Sequence, residues 1–270
     1  MSDLKSLLLR INSVNSTKKI TRVMQMIATS KLKQARTSLV AARRYRDEVL
    51  RSLEIFGKFR EEVSSSDVPA QGDVLVAFSA DRGLCGGYNS SLIRHLRSLA
   101  DEFKDSGATF YFIGKKISFF AEQFPSARTN TSGSEGVDFY FFNKLVTSLG
   151  SKAVFRCLYT KCESAMNMHS VLLRIPAASD FLFHDVCTSH LEPEHKKLFT
   201  YLYVQYVCAQ LYVCLREAKV SENMSRMLAM DGATKNAQEV GDKLRRRYNS
   251  ARQEKITKEL IEVVSGAEVI

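Results

Sequence analysis

Along the first fifth of the chain the apolar positions keep one period. From Met1 to Phe56 there is neither Gly nor Pro, and small or apolar residues recur at Leu4, Leu7, Ile11, Val14, Ala28, Leu32, Ala35, Leu39, Ala42, Val49, Leu53 and Phe56. Steps of three and four place these side chains on one face of a helix. At 1.5 Å per residue such a helix runs roughly 80 Å, more than the diameter of a small domain, so it must project or pair with something equally long. The far end behaves alike. No Pro follows Pro193, and Met230, Ala233, Ala237, Val240, Leu244, Tyr248 and Ala251 again step by threes and fours. This predicts a second helix from about Glu194 to Ser265, roughly 100 Å long and weakest at the interior glycines Gly232 and Gly241. Two such helices at opposite ends of one chain predict an antiparallel coiled coil. Ala28, Ala35 and Ala42 permit close approach of the partner, and the imperfect heptads argue against a plain symmetric zipper.

Between the two helices the period changes to alternating strand and helix. The pattern predicts strand 74–80, helix 90–105, strand 108–114, helix 115–123, helix 138–149, and strands 153–161 and 169–175. That succession is an α/β domain with a mostly parallel, Rossmann-like sheet. The organisation is therefore a helix over 1–58, a central α/β domain over 73–176 and a helix over 194–270. The polar, small-residue stretches 61–73 and 126–136 read as loops. No internal repeat is visible.

The central domain opens with "VLVAFSADRGLCGGYNSSLIRHL", residues 74–96, in which a strand meets three glycines and then a helix. Backbone N–H groups at such a turn can cradle a phosphate. The rest of that chemistry is missing. Gly83, Gly86 and Gly87 lead into Tyr88 and Asn89, where a phosphate loop needs Lys and then Ser or Thr. The spacing Gly83-Leu84-Cys85-Gly86 is not the dinucleotide fingerprint, and the next strand ends without the carboxylate that would hold a ribose. The expectation is a tight structural turn with Asn89 or Ser90 capping the helix.

Composition excludes several classes. With 45% apolar residues in 270, a core is available. No run of about 18 uninterrupted apolar residues predicts a membrane span, and Leu7 to Leu9 is too short for the apolar core of a signal peptide. Six cysteines without a CxxC pair read as reduced thiols. His184, Cys187, His190 and His195 have spacings that admit zinc in principle, but without thiolate-rich knuckles the expectation is an unliganded loop. Paired carboxylates, a nucleophile elbow and metal-binding helix motifs are all absent, so catalysis has no support. The charge of +10 is more telling. Residues 1–60 hold 14 basic and 4 acidic side chains, whereas 216–270 hold 11 and 9. The surplus sits on the first helix and calls for an acidic partner, whether protein, nucleic acid or lipid.

Three blocks carry a family resemblance: "RINSVNSTKKITRVMQMIATSKLKQA" (10–35), "DRGLCGGYNSSL" (81–92) and "SENMSRMLAMDGATKNAQEVGDKLRRRYNSARQEKITKELIEVVSGA" (221–267). In order and spacing they closely resemble the gamma subunit family of rotary F-type ATP synthases, over essentially the whole chain. The resemblance implies a non-catalytic, cofactor-free rotor subunit of the central stalk that mechanically couples proton-driven rotation to ATP synthesis or hydrolysis. It implies as partners three alpha and three beta subunits, an epsilon subunit and the ring of c subunits, with contact to a membrane only through the complex. By the same resemblance Arg252 and Gln253 match a contact to a beta-subunit loop, and Met24 and Met26 match an M-x-M facing the partners. Lys31, Lys33 and Arg36 are cations suited to acidic levers, and Ile256, Val263 and Val264 belong to an end seated in an apolar bearing. The chain departs from the family in its loosely matching segment 129–178, in Leu191 where an aromatic is common, and in lacking the regulatory cysteine insertion of plastid members. A start directly on the shaft helix implies a peripheral protein on the cytoplasmic face of a bacterial plasma membrane, or else a processed organellar chain. The alternative from charge alone is a basic coiled-coil protein that binds nucleic acid without base chemistry.

Overall fold

The stripe read from the first helix turns inward residue by residue. The computed structural model describes residues 2–59, 73–103, 108–117, 128–134, 136–149, 153–165, 167–183 and 195–267. Along the chain the described elements are α1 (Ser2–Glu54), β1 (Gly57–Phe59), β2 (Val74–Phe78), α2 (Tyr88–Phe103), β3 (Thr109–Ile113), β4 (Arg128–Ser132), α3 (Phe139–Leu149), β5 (Phe155–Cys162), β6 (Met168–Arg174), β7 (Phe181–Phe183) and α4 (His195–Ala267). Long terminal helices thus flank a central α/β sheet, as the periods predicted. Two compact units result, residues 29–226 and residues 1–28 with 227–270.

In the larger unit five strands lie in the order β4-β3-β2-β5-β6, the first four mutually parallel and β6 antiparallel to β5. All five residues of β2 are buried, as expected for a central parallel strand covered on both faces. On one face Val74, Val76, Phe78, Cys157 and Tyr159 pack with Val49 and Leu53 of α1, Phe142 and Val146 of α3, and Tyr203, Val207, Leu211 and Cys214 of α4. On the other, Leu75, Ala77, Phe110, Phe112 and Leu158 meet Leu92, Leu96, Leu99 and Phe103 of α2. One stretch of α4 is long and apolar enough to cross a membrane by length and composition alone. The sequence reading had no spanning candidate because polar residues interrupt the run. The core positions of α4 from Phe199 to Ala218 account for its apolarity, since they bury against the sheet.

At three places the structure differs from, or adds to, the pattern read from the sequence. The stretch 126–136, read as a loop, contains β4, an edge strand whose residues 128–132 pair in parallel with 109–113. Its sequence, RTNTS, has no apolar alternation to announce it, because an edge strand has fewer neighbours to satisfy. The antiparallel pair β1 and β7, with Gly57 opposite Phe183, was not anticipated, since three residues are too few to show a period. Residues 115–117 form a turn, and the rest of the helix expected over 115–123 lies outside the described residues.

The smaller unit is an antiparallel helix pair. Lys18 meets Gln238, Thr21 meets Thr234 and Gln25 meets Asp231, partners whose numbers fall as those on α1 rise. The seam of α1 runs through Leu4, Leu7, Ile11, Val14, Lys18, Thr21, Gln25 and Ala28, and these are less exposed than the residues between them, with Met24 and Asn15 beside the seam also half-buried. That is an unbroken heptad in steps of three and four. It looked imperfect because three of its positions are polar. On α4 the seam position is the buried Gly241 rather than Val240, which is 45% exposed. A Cβ at Gly241 would touch Val14 Cγ1 at 3.7 Å.

Candidate functional site

In a doubly wound sheet a ligand sits outside the carboxyl ends of the strands, where the strand order reverses. Here that point lies between β2 and β5, and α4 occupies it. The Ser221 hydroxyl lies 2.6 Å from the Thr160 carbonyl of β5 and 3.0 Å from Glu217 O. The Ser225 hydroxyl donates to Cys85 O at 2.6 Å. The buried Tyr88 hydroxyl reaches the carbonyls of Phe78 (3.5 Å) and Ala218 (3.4 Å), so it bridges the end of β2 to α4. Arg226 Nη2 donates to Arg82 O at 3.3 Å and lies 3.5 Å from Gly83 O. The glycine loop therefore turns its carbonyls toward a helix of its own chain.

The loop needs its glycines for backbone shape. Leu84 and Gly86 both have left-handed φ, 60° and 55°, which glycine adopts freely and leucine does not. Neither expected cap acts as one. Asn89 Oδ1 accepts the Ala80 N–H at 3.2 Å and its Nδ2 donates to Cys85 Sγ, while the Ser90 hydroxyl donates to Gly87 O at 3.0 Å. Both residues lie inside the first turn of α2 and fasten the loop rather than begin the helix.

A polar cluster closes the same edge. Asp81 Oδ1 accepts the N–H groups of Lys115 (3.2 Å) and Ser134 (3.0 Å), and the Ser134 hydroxyl donates to Asp81 Oδ2. Lys219 Nζ lies 2.5 Å from Ser134 Oγ, 3.0 Å from Glu222 and 3.9 Å from Asp81, and Arg226 holds the other oxygen of Glu222 at 2.9 Å. Burial alone would raise the Asp81 carboxyl, but the hydrogen bonds from Ser134 and Lys115, with the Lys219 ammonium behind them, hold it below its ordinary value. Burial pushes the Cys85 thiol and the Tyr88 phenol up, so neither is a ready nucleophile. The charges of Asp81, Lys219, Glu222 and Arg226 are answered by one another, which suits the cluster to holding α4.

Among the described residues no group of three or more His, Cys, Asp or Glu is placed to hold a metal. His184, Cys187 and His190 lie outside the described residues, and His195 opens α4.

The residues expected to meet partners separate by position. In the helix pair Met26 is 58% exposed and Met24 half-buried. Arg252, Gln253, Ile256, Val263 and Val264 are exposed. Extending the pairing observed for 18–25 against 231–238 sets residues near 253 opposite the start of α1. In the larger unit Lys31, Lys33 and Arg36 are exposed on α1. Sequence reasoning missed the polar seam, and it missed Arg43, whose Nη2 donates to Glu217 Oε1 at 2.5 Å. The only signal for the seam was a heptad that continues through polar positions.

The sequence profile of a family described as "ATP synthase" matches residues 3–270. The ATP synthase gamma chain of Gluconobacter oxydans is 32% identical over 299 residues, and that of Rhizorhabdus wittichii 34% over 294; in both cases all of each chain is covered. Among solved structures, a chain of the Euglena gracilis mitochondrial ATP synthase OSCP/F1/c-ring in rotational state 3 superposes with TM-score 0.74 at 16% identity, over 99% of this chain and 94% of that one. A chain of the rotor of the same enzyme in rotational state 1 gives 0.70 at 16%, over 94% and 99%. These two likenesses show a common fold.

Proposed function

The chain belongs to the ATP synthase gamma-chain family, the central-stalk subunit of that machine, and on this premise we propose that it acts as a non-catalytic shaft. It transmits rotation between a proton-driven ring of c subunits and the catalytic sites of three beta subunits, which alternate with three alpha subunits around it. The observation that carries this reading is the edge of the central sheet. A fold that elsewhere binds nucleotide here fills its own ligand position with Ser221, Ser225 and Arg226 of α4 and has the long helices left over for mechanical work.

The chemistry of the exposed surfaces fits such a role. A pair of helices resists torsion better than one. Contacts that slide favour long, solvated cations over fixed anchors, which suits Lys31, Lys33, Arg36 and Arg252 against acidic segments of the surrounding subunits. Gln253 shares the Arg252 contact, and Met24 and Met26 offer adaptable apolar surface on the other helix. Ile256, Val263 and Val264 sit exposed on α4 and seat in an apolar bearing. The base meets the c ring and an epsilon subunit, and the chain reaches the membrane only through them. Its bacterial relatives support a place on the cytoplasmic face of the plasma membrane. The family match leaves the nucleic-acid reading without support.

The test is to tag the chain in its own membranes, release the peripheral fraction at low ionic strength and assay what accompanies it. Alpha and beta subunits should arrive with ATPase activity that disappears when this chain is depleted. Recovery of the chain alone, or with nucleic acid, would overturn the reading.

A further inference from the structure

In the helix pair of residues 1–28 and 227–270, α1 turns Leu4, Leu7, Ile11 and Val14 toward its partner, but from Lys18 to Gln25 it buries its less apolar face. Its inward positions are Lys18, Thr21 and Gln25, and Thr21 is only 9% exposed. One residue to the side run Ile20, Met24 and Ile27, with Val23 next to them. Ile20, Val23 and Ile27 are 60%, 53% and 52% exposed. Within this stretch hydrophobicity alone favours the opposite choice, since apolar area belongs inside and an ammonium outside.

The α4 side explains the inversion. The Lys18 ammonium donates to Gln238 Oε1, and Gln238 Nε2 donates in turn to Asp242 Oδ2 at 2.8 Å. The oxygens of Thr21 and Thr234 lie 2.8 Å apart, and the Thr21 hydroxyl is also 3.1 Å from Lys18 O. Gln25 Nε2 donates to Asp231 Oδ1 at 2.9 Å, while the other Asp231 oxygen pairs with Lys235 at 2.7 Å. Turning α1 by one residue, about 100° about its axis, would bring Ile20 to Thr234 and Met24 to Asp231, with Thr17 replacing Lys18 at Gln238. Thr234 and Asp231 would then face apolar side chains in place of their partners on α1, which is the costly arrangement for polar atoms.

We propose that the layers Lys18·Gln238, Thr21·Thr234 and Gln25·Asp231 form a rotational lock, which selects the inward face of α1 against a competing apolar stripe and keeps Ile20, Val23 and Ile27 outward. A polar residue at a seam position is known to fix register in helix pairs at some loss of stability, and three consecutive layers here do so for rotation. The lock is a property of the isolated chain and goes beyond the shaft reading; that reading supplies only a reason for an outward apolar stripe.

Maleimide labelling of the full-length chain, followed by peptide mass spectrometry, tests it. Single cysteines are placed at the outward Ile27 or at Ala28, which is 1% exposed. In the native background Ile27→Cys should react several-fold faster than Ala28→Cys. In an Asp231→Leu/Thr234→Leu/Gln238→Leu background the order should reverse, with slowing at 27 and acceleration at 28. Adding Ile20→Lys and Val23→Lys to that background should restore slow reaction at 28. Unchanged rates would show that the flanking apolar layers orient α1 by themselves, and faster reaction at both sites would show that the polar layers hold the helices together rather than orient them. Either result overturns the proposal, and neither bears on whether the chain assembles with alpha and beta subunits.

Discussion

Arg156 and Asp73 form a pair buried at both ends, Nε to Oδ2 at 3.0 Å with side chains 5% and 3% exposed. Arg156→Ala leaves the Asp73 carboxylate buried without that partner, so it should cost about 3–5 kcal/mol in a urea titration, whereas replacing both residues by apolar side chains of similar volume should cost far less. The outcome that contradicts this is a similar loss for both. Asp81 gives a pH signature. Its folded pKa lies below the unfolded value of about 3.9, so its contribution to stability is fully present above that value and fades as pH falls through the lower, folded one. Asp81→Asn should therefore narrow the gap to wild type as the medium is acidified toward pH 3, read by thermal unfolding at stepped pH. A gap constant with pH would assign the effect to packing. Neither residue was legible in the sequence. Asp73 and Arg156 stand 83 positions apart, and nothing local in either strand announces the partner. Buried apolar residues of α1 such as Leu32, Leu39 and Leu53 were legible because burial of apolar side chains follows period alone, while Lys18, Thr21 and Gln25 occupy the same period with chemistry that hides it.

At the scale of elements, length decided what could be read. α1 and α4 repeat their pattern over many turns, and β2 is a continuous apolar run, so all three were placed within a few residues. β1, β7 and β4 are three to five residues long and at sheet edges or in a small separate ribbon, where neither period nor burial accumulates. The role of the glycine loop was half legible: the missing Lys and Ser excluded a phosphate site, but the element that fills the position comes from more than a hundred residues away. Its attachment can be tested through Ser225. Ser225→Ala removes the donor to the Cys85 carbonyl and should cost roughly 1–3 kcal/mol, with faster amide exchange at the loop and the start of α2. It should create no nucleotide binding, because α4 still fills the position through Ser221 and Arg226 and the turn still lacks the Lys and Ser or Thr of a phosphate loop; saturable nucleotide binding by the variant would refute this account. For the helices themselves, Ala35→Pro or Ala237→Pro removes an interior hydrogen bond and adds a clash, at about 3 kcal/mol or more each. Circular dichroism and urea unfolding of either variant at wild-type values would mean that the helix is already broken there.

For the molecule as a whole, the question is which surface serves the chain and which serves an assembly. Some apolar side chains of α4 are explained internally, since those from Phe199 to Ala218 pack against the sheet. Ile256, Leu260 and Val264, one helical turn apart, have no such account: they are 46%, 60% and 58% exposed. A chain that only needed to fold would gain nothing from them. Their replacement by Ser together should leave the thermal midpoint of the isolated chain within a degree or two, because surface substitutions away from packed features change stability by less than about 0.5 kcal/mol. If they seat in a bearing formed by surrounding subunits, the same variant should assemble less completely with alpha and beta subunits, or hydrolyse ATP with weaker coupling to proton movement. A large drop in the midpoint of the isolated chain would mean that these side chains pack within the molecule. An unchanged midpoint with unchanged assembly and coupling would mean that torque enters elsewhere, and the exposed cations Arg252, Lys31, Lys33 and Arg36 would then be the surfaces to remove next. Salt separates those two cases before any mutation is made. A bearing built from apolar contacts holds or tightens as ionic strength rises, whereas contacts carried by the 14 basic residues of positions 1–60 weaken once the screening length falls below about 10 Å.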